Sequence, residues 1–477
     1  MKRGFVDCII WATLFFFCVS YRSLAQENPS TSDGKYAVNE IFILGNKKTK
    51  SSIILRELGI QKGMRFDSSS LQMAIDSAQI RIYNTNLFNS AELQPLYSTQ
   101  DQVDLLIKVE ERWYFYPSPF LRIADRNIMD WIINRDSEIE RFNAGLKLDQ
   151  YNFRGRNERL RFVGQIGFER RFALGYILPY IEKTQRHGLG FELVYNEREK
   201  MPYITEDHLP TYINEEQINR TSWFGEIRHS FRPSYYSTHY TSIGFNQTQI
   251  SDTIASDGLN PNFLGSGTTN QQYLFLQYNY VHDLRNNRNF PTQGQILRFS
   301  LQKRGIGIFN DISIFSVQAI YNRYFELNRN FYYATGFTGY FSTPRQQPYF
   351  NYSGLGYNGI LARGFELDVI EGPRYFLYKN SLRKLIFKGK KDMSKFMPVA
   401  QFNDFKLGLY AKLIADFGYV ENYPNYEISS RLTDTLLYSL GAGLDIVTMY
   451  DLVLRLEYTY NSQQDFNFAI NVQADIN

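Results

Sequence analysis

The nine residues Leu452-Val-Leu-Arg-Leu-Glu-Tyr-Thr-Tyr460 alternate in character. Leu452, Leu454, Leu456, Tyr458 and Tyr460 are apolar or aromatic, and Arg455, Glu457 and Thr459 oppose them. A repeat of two is that of a β-strand, whose side chains leave on alternate faces. The pattern recurs. In Arg159–Glu169, Leu160, Phe162, Ile166 and Phe168 share one parity, and Arg161, Gln165 and Glu169 the other. In Ile296–Gln302, Leu297, Phe299 and Leu301 alternate with Arg298, Ser300 and Gln302. In Phe466–Ile476, Phe466, Phe468, Ile470, Val472 and Ile476 oppose Asn467, Asn471, Gln473 and Asp475. Each strand presents one apolar face and one charged face, and the charges predict that the second face is wet.

Composition narrows the choice of sheet. Phe and Tyr supply 38 and 36 of 477 residues, yet mean hydropathy is only −0.37. The chain opens with Lys2 and Arg3, an apolar run from Cys8 to Val19, and Ser23-Leu-Ala25 before Gln26. This reads as a secretory signal over residues 1–25, too short to span a membrane. Both cysteines, Cys8 and Cys18, fall inside it, so the exported chain is expected to hold no disulfide and no Cys-ligated metal. Removing it leaves 49 basic and 47 acidic side chains, a balance that gives no reason to expect nucleic acid. Export, many aromatics and low hydropathy fit a transmembrane β-barrel with aromatic girdles. A secreted β-sandwich or propeller is the soluble competitor.

Residues 26–35 read as a flexible N-terminus and 36–112 as a small α+β module. Val38–Leu44 is a strand closed by Gly45-Asn46, and Ser51–Leu58 is a short helix. Asp67 caps a second helix with Leu71, Ile75, Ala78 and Ile82 at helical spacing, before strands at Ala91–Tyr97 and Val103–Val109. From residue 113 to 477, sixteen antiparallel strands are expected. They start near Trp113, Arg141, Glu158, Phe172, His187, Ser222, Tyr236, Gln271, Gly294, Ile312, Phe331, Pro373, Asp404, Leu437, Leu452 and Phe466. With strand one running outward, the long connections Glu197–Thr221, Thr248–Asn270, Ser342–Gly372 and Val420–Leu436 all fall outside, as in bacterial barrels. The basic stretch Phe387–Asn403 does not fit: it is either an unusual periplasmic loop or a missed strand pair.

Within Ser342–Gly372, Asn358-Gly-Ile-Leu-Ala-Arg-Gly-Phe365 sits among Tyr349, Phe350, Tyr352, Tyr357 and four glycines. Aromatics want a surface and glycines permit tight bends, so the loop is expected to fold back into something.

The N-terminal module resembles a POTRA domain, through Val38, Ile43, Gly45-Asn46, Lys62-Gly63, Asn86-Leu-Phe88 and Val109-Glu110. The remainder resembles the surface-antigen barrel of the BamA/TamA-like outer-membrane assembly and translocation superfamily. The matching stretches are Asn152-Phe-Arg-Gly155, Gly175-Tyr176, His282-Asp-Leu-Arg-Asn286 with Pro291 and Gly294, Arg363-Gly-Phe365, and Asp416 with Gly418. The resemblance implies that Arg363, Gly364 and Phe365 enter the lumen and that Arg363 pairs with Asp416. It also implies a lateral seam between the first strand, with Trp113 and Phe115, and the last, with Phe466, Phe468 and Ile470. Two features depart from the family pattern. Strand twelve reads Asn380-Ser-Leu-Arg383 where a second acidic residue is usual, and the chain ends Asp475-Ile-Asn477 rather than on an aromatic.

The expected function is insertion or translocation of unfolded client polypeptides at a Gram-negative outer membrane. The partners would be outer-membrane lipids, outer-membrane or secreted clients, and periplasmic or lipoprotein factors, with the module's open sheet edge offered to a client strand by backbone pairing. A passive channel, a surface receptor, or lipid export and envelope scaffolding remain alternatives. No enzyme, cofactor or metal is expected. His187, His208, His229, His239 and His282 lack ligand or triad spacing and read as loop or lumen residues, and no Gly-x-Ser-x-Gly or phosphate loop is present.

Overall fold

The computed structural model describes residues 35–477 except 126–127, 214, 216, 310–311, 358, 393–403, 425–429, 449–451 and 472–477. The expected signal segment, Asn358, Lys395, Val472 and Ile476 lie outside the described residues. Two compact units emerge. One comprises residues up to Gly45, Leu58–Gln79 and Ala91–Val109, and the other Asn46–Glu57, Ile80–Ser90 and Glu110–Asn477.

In the first unit, β1 (Tyr36–Leu44) lies parallel to β4 (Gln102–Glu111). The two-residue β2 (Arg65–Phe66), which alternation alone cannot reveal, pairs with Tyr36 and Ala37. With β3 (Phe88–Tyr97) the order is β2-β1-β4-β3. Val38, Leu71, Ile75, Ala78, Val103, Leu105 and Ile107 are buried. The helix Ser68–Tyr83 starts at Asp67, whose Oδ1 accepts the Ser70 amide at 2.7 Å. That bond satisfies an otherwise orphaned helix donor.

The second unit is built on a sixteen-stranded antiparallel sheet. Its first strands are β5 (Phe115–Ile123), β6 (Phe142–Phe153), β7 (Glu158–Gly167), β8 (Glu169–Leu178) and β9 (His187–Arg198). An outer hairpin follows, β10 (Met201–Glu206) and β11 (Leu209–Ile213), paired only with each other among the described residues. The sheet resumes with β12 (Arg220–Phe231), β13 (Ser237–Ile250), β14 (Asn270–Asp283), β15 (Gly294–Arg304), β16 (Ile314–Asn328) and β17 (Phe331–Thr343). The long loop after β17 carries its own two-residue pair, β18 (Gly354–Leu355) and β19 (Ile370–Glu371). The wall ends with β20 (Arg374–Asp392), β21 (Asp404–Glu421), β22 (Leu436–Val447), β23 (Val453–Asn461) and β24 (Phe466–Asn471). The sixteen barrel strands begin within three residues of the positions expected from alternation.

The basic stretch after Phe387 is neither an irregular loop nor an extra strand pair over its described part. β20 runs on to Asp392 and pairs with β21 down to Asp404. The charge pattern hid this, because the lysines mask a strand that has outrun its neighbours in the sheet. A second difference concerns the histidines. His187, His229, His239 and His282 sit on strands and share parity with exposed Phe191, Ile227, Ile243 and Leu276, so they belong to the outer surface and not to loops or lumen.

Candidate functional site

The loop between β17 and β20 folds into the barrel because its apolar side chains meet an apolar patch on the lumen face of β20, β21 and β22. Leu355, Ala362, Phe365 and Ile370 from the loop form one buried cluster with Tyr375, Leu377, Val420, Leu432 and Leu437. Tyr352 stacks on Tyr423 with centroids 3.7 Å apart. Burial of Phe365 alone contributes roughly 2 kcal/mol or more.

Strand register prepares a polar seat beneath that cluster. Asp416 of β21 lies opposite Ser439 of β22, which lies opposite Asn461 of β23, and Thr459 lies opposite Asn467 of β24. These residues share the lumen parity and form one row across the wall. Arg363 drops onto its near end. Nε donates to Asp416 Oδ2 at 2.7 Å, Nη2 donates to Oδ1 of the same carboxylate and to the Asn380 carbonyl at 3.0 Å, and Nη1 donates to Ser381 Oγ at 2.8 Å. Such a forked, charge-assisted pair is the strong form of an arginine contact. Arg363 is 4% exposed and Asp416 2%. The neutral strand-twelve sequence therefore does not leave the arginine short of partners. Asn380 and Ser381 give oxygens, and the second carboxylate, Glu457 of β23, stands 3.9 Å from Nη1.

Gly364 occupies the far end of the row. Its φ of +86° is left-handed, and a Cβ would meet Ser439 Cβ at 3.0 Å. Its amide donates to Glu366 at 2.9 Å. Its carbonyl accepts from Asn461 at 2.7 Å and from Asn467, on the last strand, at 2.8 Å. The tip thus bridges β20 and β21 to β23 and β24.

Below the tip the wall is charged but dry. Lys412 Nζ lies 2.6 Å from Asp445 and 2.7 Å from Glu457, and Arg383 and Arg455 approach Asp445 at 3.6 and 3.7 Å. Arg455, Glu457 and Thr459 are all buried. The expectation that the charged face of Leu452–Tyr460 is wet fails here. A loop packed across the lumen replaces water with paired charges, and buried charges persist only when paired.

Further contacts flank the site at both ends. On the outer side, His208 in the β10–β11 turn donates through Nδ1 to the Val369 carbonyl at 3.2 Å and accepts the Leu432 amide at Nε2 at 3.0 Å. Burial and the neighbouring Arg431 push its pKa down, against the Val369 bond. Arg431 bridges Asp207 at 3.1 Å and Asp368 at 2.9 Å. Three outer loops are joined there. On the opposite side the β14–β15 turn inserts Phe290, whose ring centroid lies 4.8 Å from that of Tyr410, under the Arg383 guanidinium at 5.0 Å.

Of the expected seam residues, Trp113 is exposed two residues ahead of β5, Phe115 is exposed as its first residue, and Phe466, Phe468 and Ile470 are exposed on β24, opposite in parity to Asn467. Asn461, Asn467, Ser439 and Lys412 escaped sequence reasoning. Their lumen parity was readable, but nothing in the chain marks which lumen side chains a loop will touch.

This geometry defines a class: a transmembrane β-barrel with a charged, lumen-inserted outer loop, preceded by a small α+β unit. Residues 152–472 match the Omp85 superfamily domain and residues 36–112 the surface antigen variable number repeat, or POTRA. The chain belongs to the Omp85 superfamily, and it is a protein of the bacterial outer membrane with a POTRA domain of the periplasmic kind. It is 36% identical over 78 residues to the outer membrane protein assembly factor BamA of Neisseria meningitidis serogroup B, covering 16% of this chain and 10% of that protein. With BamA of Nitratidesulfovibrio vulgaris it shares 32% over 80 residues, again 16% and 10% of the two chains. The chain thus aligns with about a tenth of the length of these curated relatives. Among solved structures it resembles BamA from Haemophilus ducreyi lacking POTRA domains 1–3, with TM-score 0.50 and 17% identity over 92% of this chain and 83% of that one. It also resembles CdiB from Escherichia coli, with TM-score 0.52 and 12% identity over 92% and 75%.

Proposed function

We propose that this protein inserts or translocates client polypeptides at the outer membrane, without a cofactor, through the seam between β5 and β24. One observation carries the reading. The loop tip is fixed to the body of the wall by Arg363 and to the last strand by Asn467, so displacement of β24 removes a hydrogen bond from the loop. A seam of this kind lends backbone edges to an incoming strand. Phe115 on one side, and Phe466, Phe468 and Ile470 on the other, keep the flanks lipid-compatible while Asn467 faces the lumen. In the POTRA unit, β3 is a sheet edge on which a client could be captured by strand addition. Residues 36–112 form the capture domain in this reading and residues 113–477 the inserting barrel. Periplasmic or lipoprotein factors would deliver clients to it.

The test is depletion followed by outer-membrane proteomics, with rescue by a variant whose β5 and β24 are tied by an engineered disulfide. Depletion should lower the amounts of other barrel or secreted proteins, and the tied variant should rescue only under reducing conditions. An unchanged proteome, or full rescue by the oxidised form, would overturn the proposal. Steady conductance with no effect on other proteins would instead support the channel reading.

A further inference from the structure

The β20–β21 hairpin outgrows its neighbours. β17 accompanies β20 only to Lys384, and β22 accompanies β21 only from Gly408. Leu385–Lys388 still pair with Gly408–Tyr410, which β22 accompanies, and beyond them Gly389–Asp392 and Asp404–Leu407 pair, among the described residues, with each other alone. This is the periplasmic end, because the connection joins strand twelve to strand thirteen. These four residues advance about 13 Å along the strand, or roughly 10 Å beyond the rim at a tilt near 40°. The headgroup layer is only about 5–8 Å deep. An isolated two-stranded ribbon is marginally stable in water, so this one needs a surface to pack on.

Its sequence and register indicate which. The pairing slips between Leu385 and Phe387, where the ribbon leaves the barrel. A bulge bends a strand and reverses its parity. Leu385 keeps to the lumen side with Phe290 and Tyr410, while Ile386 and Phe387 both emerge, each 53% exposed. Phe387 lies opposite Leu409, Gly389 opposite Leu407 and Lys391 opposite Phe405. An added Cβ on Gly389 would meet the Phe387 ring at 2.7 Å, so that ring covers this face. On β21 the outer row reads Phe405, Leu407, Leu409, Ala411, Leu413, Ala415 and Phe417 without a polar residue. The lipid-facing belt of the barrel therefore continues onto the ribbon along β21, with Lys384 and Lys391 of β20 at the margins of the same face. The opposite face carries Lys388 opposite Gly408 and Lys390 opposite Lys406. From Lys384 to Asp392 and from Asp404 to Leu407 there are five lysines and two aspartates.

We infer that this ribbon is a membrane-surface anchor. Its apolar face enters the periplasmic leaflet beside the barrel, and its lysines bind the phosphates of anionic phospholipid headgroups. The arrangement is the β-ribbon counterpart of an interfacial amphipathic helix, with one apolar face continuous with the bilayer and a basic rim that reaches the headgroups. It does not depend on the insertion activity proposed above. The lysines have a plainer use, since charges on an open strand edge deter edge-to-edge pairing. That use does not require an unbroken apolar row on the other face.

The test uses the full chain in nanodiscs of phosphatidylcholine, with and without phosphatidylglycerol. Phe387→Trp places an indole on the outer face, and Leu407→Trp is a second probe if the first fails to fold by heat-modified mobility. The added emission should be quenched by lipids brominated in the acyl chains and shielded from aqueous iodide. Adding phosphatidylglycerol should slow acetylation of Lys388, Lys390 and Lys406, by up to about fivefold per lysine, with recovery at high salt. Iodide quenching without bromolipid quenching would overturn the proposal and leave a ribbon that stands in the periplasm to meet a protein. Lysine reactivity indifferent to lipid charge would also overturn it, leaving edge protection as the lysines' use.

Discussion

Arg363→Ala should release the loop tip from the wall. The side chain hydrogen-bonds Asp416, Asn380 and Ser381 at a site closed to solvent. Its loss leaves the buried Asp416 side chain without its forked partner, with the Asn380 amide at 3.3 Å as a remaining donor. Breaking a buried pair from one side costs about 3–5 kcal/mol. That surviving donor argues for the lower end, about 3 kcal/mol, or roughly 10²-fold in the equilibrium between seated and released loop. Arg363→Lys keeps the charge but not the fork and should fall between. The double change Arg363→Met with Asp416→Leu removes the stranded charge and should recover most of the loss. The assay is labelling of a thiol introduced by Ala362→Cys, since the chain's own cysteines are only Cys8 and Cys18. An impermeant maleimide on intact cells reads the released fraction. If Arg363→Ala labels within about threefold of the parent, the pair does not hold the loop and the reasoning from buried-pair energetics is wrong.

Gly364→Ala should cost about 1–3 kcal/mol by the same assay, since it adds both left-handed strain and a Cβ 3.0 Å from Ser439. Gly267→Ala, at a φ of +71° with nothing within 4 Å, should show strain alone and the smaller effect. The outer cap should loosen in acid. His208 is held neutral when closed, with Asp207, Asp368 and Arg431 as its charged neighbours. Its closed-state pKa is below that of an opened imidazole, so cap stability is full above about pH 6.5 and falls as pH drops below it. Protease nicking of the β10–β11 hairpin should rise over that range in the parent, and His208→Gln should remove the dependence. Phe290→Ala should open the periplasmic mouth, raising the frequency of conductance steps in planar bilayers and lowering thermal stability by about 3 kcal/mol or more.

The wall was legible because its period of two is dictated on every strand by lipid on one side, and long outer connections fixed the direction. Arg363 and Asp416 could be paired in advance only through family resemblance. The sequence shows parity and not the opposite bank of a lumen, so Asn467 looked like any other polar residue on the alternate face. Arg455 and Glu457 were misjudged as wet for a related reason. Alternation tells which side chains leave the lipid, while the loop folded over them, contributed from a hundred residues earlier, decides whether they meet water. The ribbon was obscured by its lysines, which resemble loop composition once a strand runs past its neighbours in the sheet.

The double grip on the Gly364 carbonyl has a bearing on how the barrel is made. The loop and its arginine precede β21 in the chain, whereas Asn461 and Asn467 belong to the last two strands. The finished loop tip is thus held by contacts from four strands, two on either side of β22. A nascent barrel in which the tip is absent would finish its final hairpin around an empty seat, with Asn461 and Asn467 facing each other's donors, and the loop would then have to enter a completed cylinder.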